Sequence, residues 1–147
     1  MVFASSFLAS CEAQSKLPKE MPPNAELIYV SEGGFVPSFF RILISGNTMK
    51  ITDRPANVQT EQVWEAKLSD GEVKRLYQVF VDNEFDLSKP NKEINVPDGK
   101  SRSIELRFGQ QRFYAVIGDG IKSAKDNTDR FHNVENAFGS LVKKYRK

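Results

Sequence analysis

Arg107 and Arg112 flank a Gly109-Gln110 dipeptide, and that spacing could do chemistry. If the dipeptide is a two-residue hairpin turn, the two side chains stand directly opposite on adjacent strands. Two unrelieved guanidinium groups side by side form a fork that suits a carboxylate or phosphate. A nearby Glu105 or Glu65 would convert the fork into a salt-bridge network instead. The same arithmetic around Gly46-Asn47 pairs Ile44 with Met49 and Ile42 with Ile51 on the core face. Phe39, Arg41, Leu43 and Lys50 then fall on the opposite face, with Arg107, Arg112 and Tyr114. The candidate binding face is therefore Phe39, Arg41, Lys50, Arg107, Arg112 and Tyr114. Basic and aromatic residues on an open sheet are also what binds single-stranded RNA, and a plain solvated sheet face is the simpler reading.

Other constellations carry less. Gly99-Lys100-Ser101 looks like the end of a phosphate-binding loop, but Ile94 stands where the motif needs glycine, and a strand pattern follows instead of a helix. Asp119-Gly120 with Asp126, Asn127 and Asp129 misses the spacing of a calcium loop, because Ile121 and Ser123 occupy ligand positions. Those acidic residues read as a helix cap and an acidic first turn. The single histidine, His132, follows an apolar helix position with no second His or nearby Cys, which describes a boundary residue. No serine lies in G-x-S-x-G. The sequence therefore nominates no catalytic residue, no metal ligand set and no cofactor. A carboxylate-based hydrolase or transferase stays open, since paired carboxylates cannot be recognised from spacing alone.

The lone cysteine closes the stretch Leu8-Ala9-Ser10-Cys11, after ten residues without charge. This resembles the lipobox of bacterial lipoprotein precursors. The resemblance implies cleavage before Cys11, lipidation of its thiol, export, and anchoring to a membrane of the cell envelope. Residues 1–10 then act as a signal-like segment and 11–24 as a lipid-anchored spacer. From Glu12 to Asn24 the chain is polar and proline-bearing, which reads as an extended spacer that would hold the domain some tens of ångströms off a membrane, at roughly 3 Å per residue.

Positioning falls to residues 25–147, one domain. Glu26–Val30, Phe39–Ser45, Thr48–Asp53 and Gln62–Lys67 read as four strands, with Gly46-Asn47 as a hairpin turn. Ser69 and Glu72 form a capping box, and Leu68 and Val73 form its hydrophobic staple. Val73, Leu76, Tyr77 and Phe80 then trace one helical stripe. Residues 83–101 read as a loop. Ile104, Leu106 and Phe108 alternate with Ser103, Glu105 and Arg107, and Phe113, Ala115 and Ile117 alternate in turn. A final helix starting near Asp129 carries Phe131, Val134, Phe138, Leu141, Val142 and Tyr145 on one stripe. The order β-β-β-β-α-β-β-α has too few crossover helices for a parallel sheet. It predicts an α+β fold, an antiparallel sheet of five to six strands with both helices packed on one face.

Composition bounds the partners. In 147 residues, 21 Lys+Arg face 19 Asp+Glu, a net charge of +2 that does not announce a nucleic-acid binder. One cysteine excludes an internal disulfide framework. The expected function is a membrane-anchored envelope lipoprotein acting as a non-enzymatic binding or assembly module. Its partners would be the membrane through lipidated Cys11, and an envelope protein, peptide or anionic envelope component. A cytosolic RNA-binding module follows only if the Leu8–Cys11 match is accidental.

Overall fold

The computed structural model describes residues 12–89, 92–93 and 96–146, so the Cys11 site lies outside the described residues. Among these residues eight strands and two α-helices follow in order: β1 Glu26–Gly33, β2 Ser38–Ser45, β3 Thr48–Arg54, β4 Gln62–Lys67, α1 Asp70–Asp82, β5 Lys92–Glu93, β6 Lys100–Phe108, β7 Gln111–Gly118, β8 Ile121–Lys122 and α2 Lys125–Tyr145. Six of the strands form one antiparallel sheet in the order β4-β3-β2-β1-β6-β7. The expected α+β fold is the one observed. A two-stranded ribbon of β5 and β8 and a 3-10 turn at Phe85–Leu87 stand where the sequence reads as loop.

Turn arithmetic sets the local register. Ile44 faces Met49, Ile42 faces Ile51, Leu106 faces Phe113 and Arg107 faces Arg112. Gly46 and Gly109 take the left-handed φ of 57° that each tight turn requires. One sheet face carries Leu27, Ile42, Ile44, Met49, Ile51, Ile104 and Leu106. It packs against Val73, Leu76, Tyr77 and Phe80 of α1 and against Phe131, Val134 and Phe138 of α2 in a single core. The other face is the one that carries the arginine pair.

Strand β1 is longer than the apolar run Glu26–Val30 suggests, because it is the central strand and pairs along its whole length on both sides. It ends at Gly33, whose φ of 97° lets the backbone pass close beside Gly99. Helix α2 begins at Lys125 rather than near Asp129. Its N-cap, Ala124, offers no capping side chain, so the acidic residues do not cap it. Asp126 lies in its first turn, while Lys125 and Asp129 form an i,i+4 ion pair at 2.8 Å.

The amino-terminal segment also departs from expectation. It has no regular structure from Glu12 to Pro18, but it does not stand clear of the domain. Asp86 accepts hydrogen bonds from the Ser15 hydroxyl at 2.6 Å and the Lys16 amide at 2.7 Å, and Tyr77 donates to the Pro18 carbonyl at 2.8 Å. Leu17 is buried in the core and Met21 packs against it. Two apolar side chains spaced along a polar stretch are enough to hold it down, and average composition hides them.

Glu72 ties the start of α1 to the end of α2. One carboxylate oxygen closes the capping box on the Ser69 amide at 2.9 Å and also accepts from the Tyr145 hydroxyl at 2.6 Å; the other accepts from Lys144. The hydrogen bonds from Lys144, then Tyr145, then the Ser69 amide hold its carboxyl at a pKa of about 2, against their desolvating cost. A carboxyl depressed in the folded state stabilises above its unfolded value and loses that contribution as pH falls through the folded one. Wild type is therefore expected to exceed Glu72→Gln in urea midpoint at pH 6, with the gap closing between about pH 4.5 and 2. A gap that stays constant on acidification would remove Glu72 from the acid response.

Candidate functional site

All six residues of the expected binding face do lie on the outer sheet surface, but they form two groups. Phe39, Arg41 and Lys50 sit on β2 and β3, where Phe39 faces Glu32 and Arg54, Arg41 faces Val30 and Thr52, and Lys50 faces Glu65. Arg107, Arg112 and Tyr114 sit on β6 and β7. Phe39 and Tyr114 are three strands apart, about 14 Å at the usual spacing. Between the groups Ile28 faces Leu43 and Glu105 in register. It is only 3% exposed, so the middle of this face is closed by its own side chains.

The arginine pair is not an open fork. Glu105, 6% exposed, accepts from Arg107 Nε, from Arg112 Nε at 2.5 Å and from Arg112 Nη2 at 3.2 Å. Burial pushes the Glu105 carboxyl up, but the hydrogen bonds and charges of both arginines outweigh it and hold it below the ordinary carboxylate value. The Arg112 guanidinium also lies 5.1 Å from the centre of the Tyr114 ring. Glu65 takes no part, since it pairs with Lys50 at the far side of the sheet. The fork is occupied from within, and the sign of an expected mutational effect changes with it. Unrelieved like charges would make Arg107→Ala stabilising. With Glu105 between them, the substitution is expected to lower stability. Arg107 is 46% exposed, so the loss stays below about 1 kcal/mol. A thermal melt that rises in the variant would restore the open fork.

The concave site lies on the other face. Helix α2 crosses the inner sheet face with Phe131, Val134 and Phe138 directed into the core. Its neighbouring stripe of Glu135, Gly139, Val142, Lys143 and Arg146 faces Tyr29, Phe40 and Ile42 of β1 and β2 across a groove of about 430 Å³. The floor is apolar. Tyr29 packs edge-on to Phe40 at 6.3 Å and tilted against Phe138 at 5.9 Å. At one end Glu135 is held by three groups. It accepts from the Tyr29 hydroxyl at 3.0 Å and from Arg102 Nη1 at 2.7 Å, and His132 Nδ1 lies 3.1 Å from its second oxygen. Burial, then the Glu135 charge and hydrogen bond, push the Tyr29 hydroxyl up to about 12, so it stays a neutral donor.

The other end is cationic. Arg146 donates to Asp53 at 2.6 Å, with its guanidinium 4.5 Å from the Trp64 ring centre and 5.9 Å from Phe40. Lys143 is exposed and makes no ion pair among the described residues. Gly139, between the two ends, sits mid-helix, and a Cβ built on it would meet nothing within 4 Å.

The sequence reading nominates none of these groove residues, and His132, read there as a boundary residue, is 44% exposed. Two signals were present: a carboxylate, Glu135, beside a helix's apolar stripe, and a glycine inside a 21-residue helix. Among the described residues no group of three or more His, Cys, Asp or Glu could hold a metal ion. No helix among them is long and apolar enough to cross a membrane. No protein-family model matches the chain, and no curated protein matches it at a significant level.

Proposed function

We propose that this chain is an envelope lipoprotein, anchored through Cys11, whose domain is a binding module rather than an enzyme. The groove between α2 and the inner ends of β1 and β2 carries this reading. It is preformed and apolar-floored, with few polar groups at defined ends, the usual build of a ligand site. Glu135, the one carboxylate lining it among the described residues, is already held by Arg102, Tyr29 and His132, which leaves a poor general base. An RNA-binding face fits less well, because Phe39 and Tyr114 stand on separate parts of the outer surface and the Arg112 guanidinium already lies 5.1 Å from the Tyr114 ring centre.

The anchor rests on the lipobox-like Leu8-Ala9-Ser10-Cys11. The docked amino-terminal segment gives it a consequence. With the chain fixed from Ser15 onwards, the four-residue step from Cys11 spans at most about 14 Å, so the domain rides near the bilayer surface. Metabolic labelling with a palmitate analogue is expected to mark wild type and leave Cys11→Ser unmarked. Equal labelling of the two would overturn the anchor.

A further inference from the structure

We infer that the α2 groove takes an anionic amphiphile, a carboxylate bearing an acyl or aromatic tail of modest length. The inference rests on the binding-module reading and assigns a ligand class to the same site. Charge decides the head group. Among the described residues, the only carboxylate lining the groove is neutralised by Arg102 and capped by Tyr29, whereas the opposite end presents Lys143 without an ion pair. Arg146 lies beside it. Asp53 engages Nη2, and the other N–H groups of this five-donor fork make no hydrogen bond among the described residues. The uncompensated charge of the groove is therefore positive and concentrated at one end, where a carboxylate can lie between an ammonium and a guanidinium.

Apolar surface decides the tail. From Lys143 back towards Glu135 the helix advances about 12 Å. The floor over that distance is Phe40, Ile42, Phe138 and Val142. Gly139 keeps this stretch open. A helix interior normally disfavours glycine, and no neighbouring atom requires it here, since the space above its Cα is empty. The absent side chain leaves room for a tail. At the far end the Tyr29–Glu135–Arg102 cluster is internally satisfied and offers no charge to an incoming group, so it acts as a stop.

The protein carries its own reporter. Trp64 is the single tryptophan, and it lies under Arg146 at the cationic end. Titration of the full chain with decanoate, below its micelle concentration, is expected to shift or quench Trp64 emission saturably. Decanol, equal in tail and uncharged, is expected to bind at least tenfold more weakly. Lys143→Ala should weaken decanoate about tenfold and leave decanol unchanged. Gly139→Leu should abolish both responses, with an unchanged circular dichroism spectrum and an undiminished melting temperature. Equal affinity for decanoate and decanol, unaltered in Lys143→Ala but lost in Gly139→Leu, would overturn the anionic assignment while groove binding stands. No response of Trp64 emission or amide resonances to either probe, in wild type or Gly139→Leu, would overturn the ligand class and remove the support for a binding groove.

Discussion

Phe138→Ala is expected to cost about 3–5 kcal/mol, a large share of the 5–15 kcal/mol that holds a typical domain folded. The ring is 1% exposed and sits where α2 meets both the sheet and α1. It lies 5.9 Å from Tyr29 on the sheet and 6.1 Å from Phe80 on α1, and Phe80 in turn lies 4.9 Å from Phe85. Truncation removes the transfer energy of the ring and leaves a void that fixed neighbours on both sides cannot close. The urea midpoint should fall with little change in the slope. A loss under about 1.5 kcal/mol would mean that the site collapses freely, and that Phe138 does not fix α2 against the sheet.

Gly33→Ala should be nearly as damaging, for a reason unrelated to apolar burial. Its φ of 97° is strained for any side chain, and an added Cβ would come within 2.3 Å of the Gly99 carbonyl oxygen. That neighbour is backbone, so relief requires β1 and the start of β6 to separate where Gly33 faces Lys100. The expected loss exceeds about 2 kcal/mol. The same substitution at Gly139 has the opposite sign, a gain of about 0.5–1 kcal/mol, because the helix prefers alanine and the Cβ meets nothing. Paired thermal melts of the two variants test both claims, and a harmless Gly33→Ala would show that the strand ends are free to splay.

Features set by neighbours in sequence were legible. The turns at Gly46-Asn47 and Gly109-Gln110 determine which residues face each other, so the core face and the Arg107–Arg112 opposition follow from counting. Ser69 and Glu72 announce the start of α1 because both halves of a capping box lie within four residues. The start of α2 was misplaced because Ala124 carries no capping oxygen to mark it. The role of Glu105 was half visible. It shares a face with Arg107 by alternation, but its near-complete burial depends on strands brought alongside. The groove was not legible at all. It exists because α2 crosses the sheet at an angle that leaves Tyr29 and Phe40 partly uncovered, and no local spacing encodes that angle. The docking of Leu17 and Met21 was missed for the same reason, since the surface that receives them is assembled from distant segments.

The central place of β1 has a consequence for the order of events in folding. Its pairing with β2 is a hairpin contact that forms locally, and so is the pairing of β6 with β7. Its pairing with β6 joins positions separated by on the order of seventy residues of chain, and loop-closure entropy must be met before that contact is rewarded. The chain can thus assemble as a four-strand meander and a later hairpin, with β1 waiting as an unpaired edge until the second arrives. An unpaired edge of this kind invites pairing with another molecule. Refolding at rising protein concentration should therefore lose yield to aggregation, unless the later hairpin docks before β1 meets a second chain.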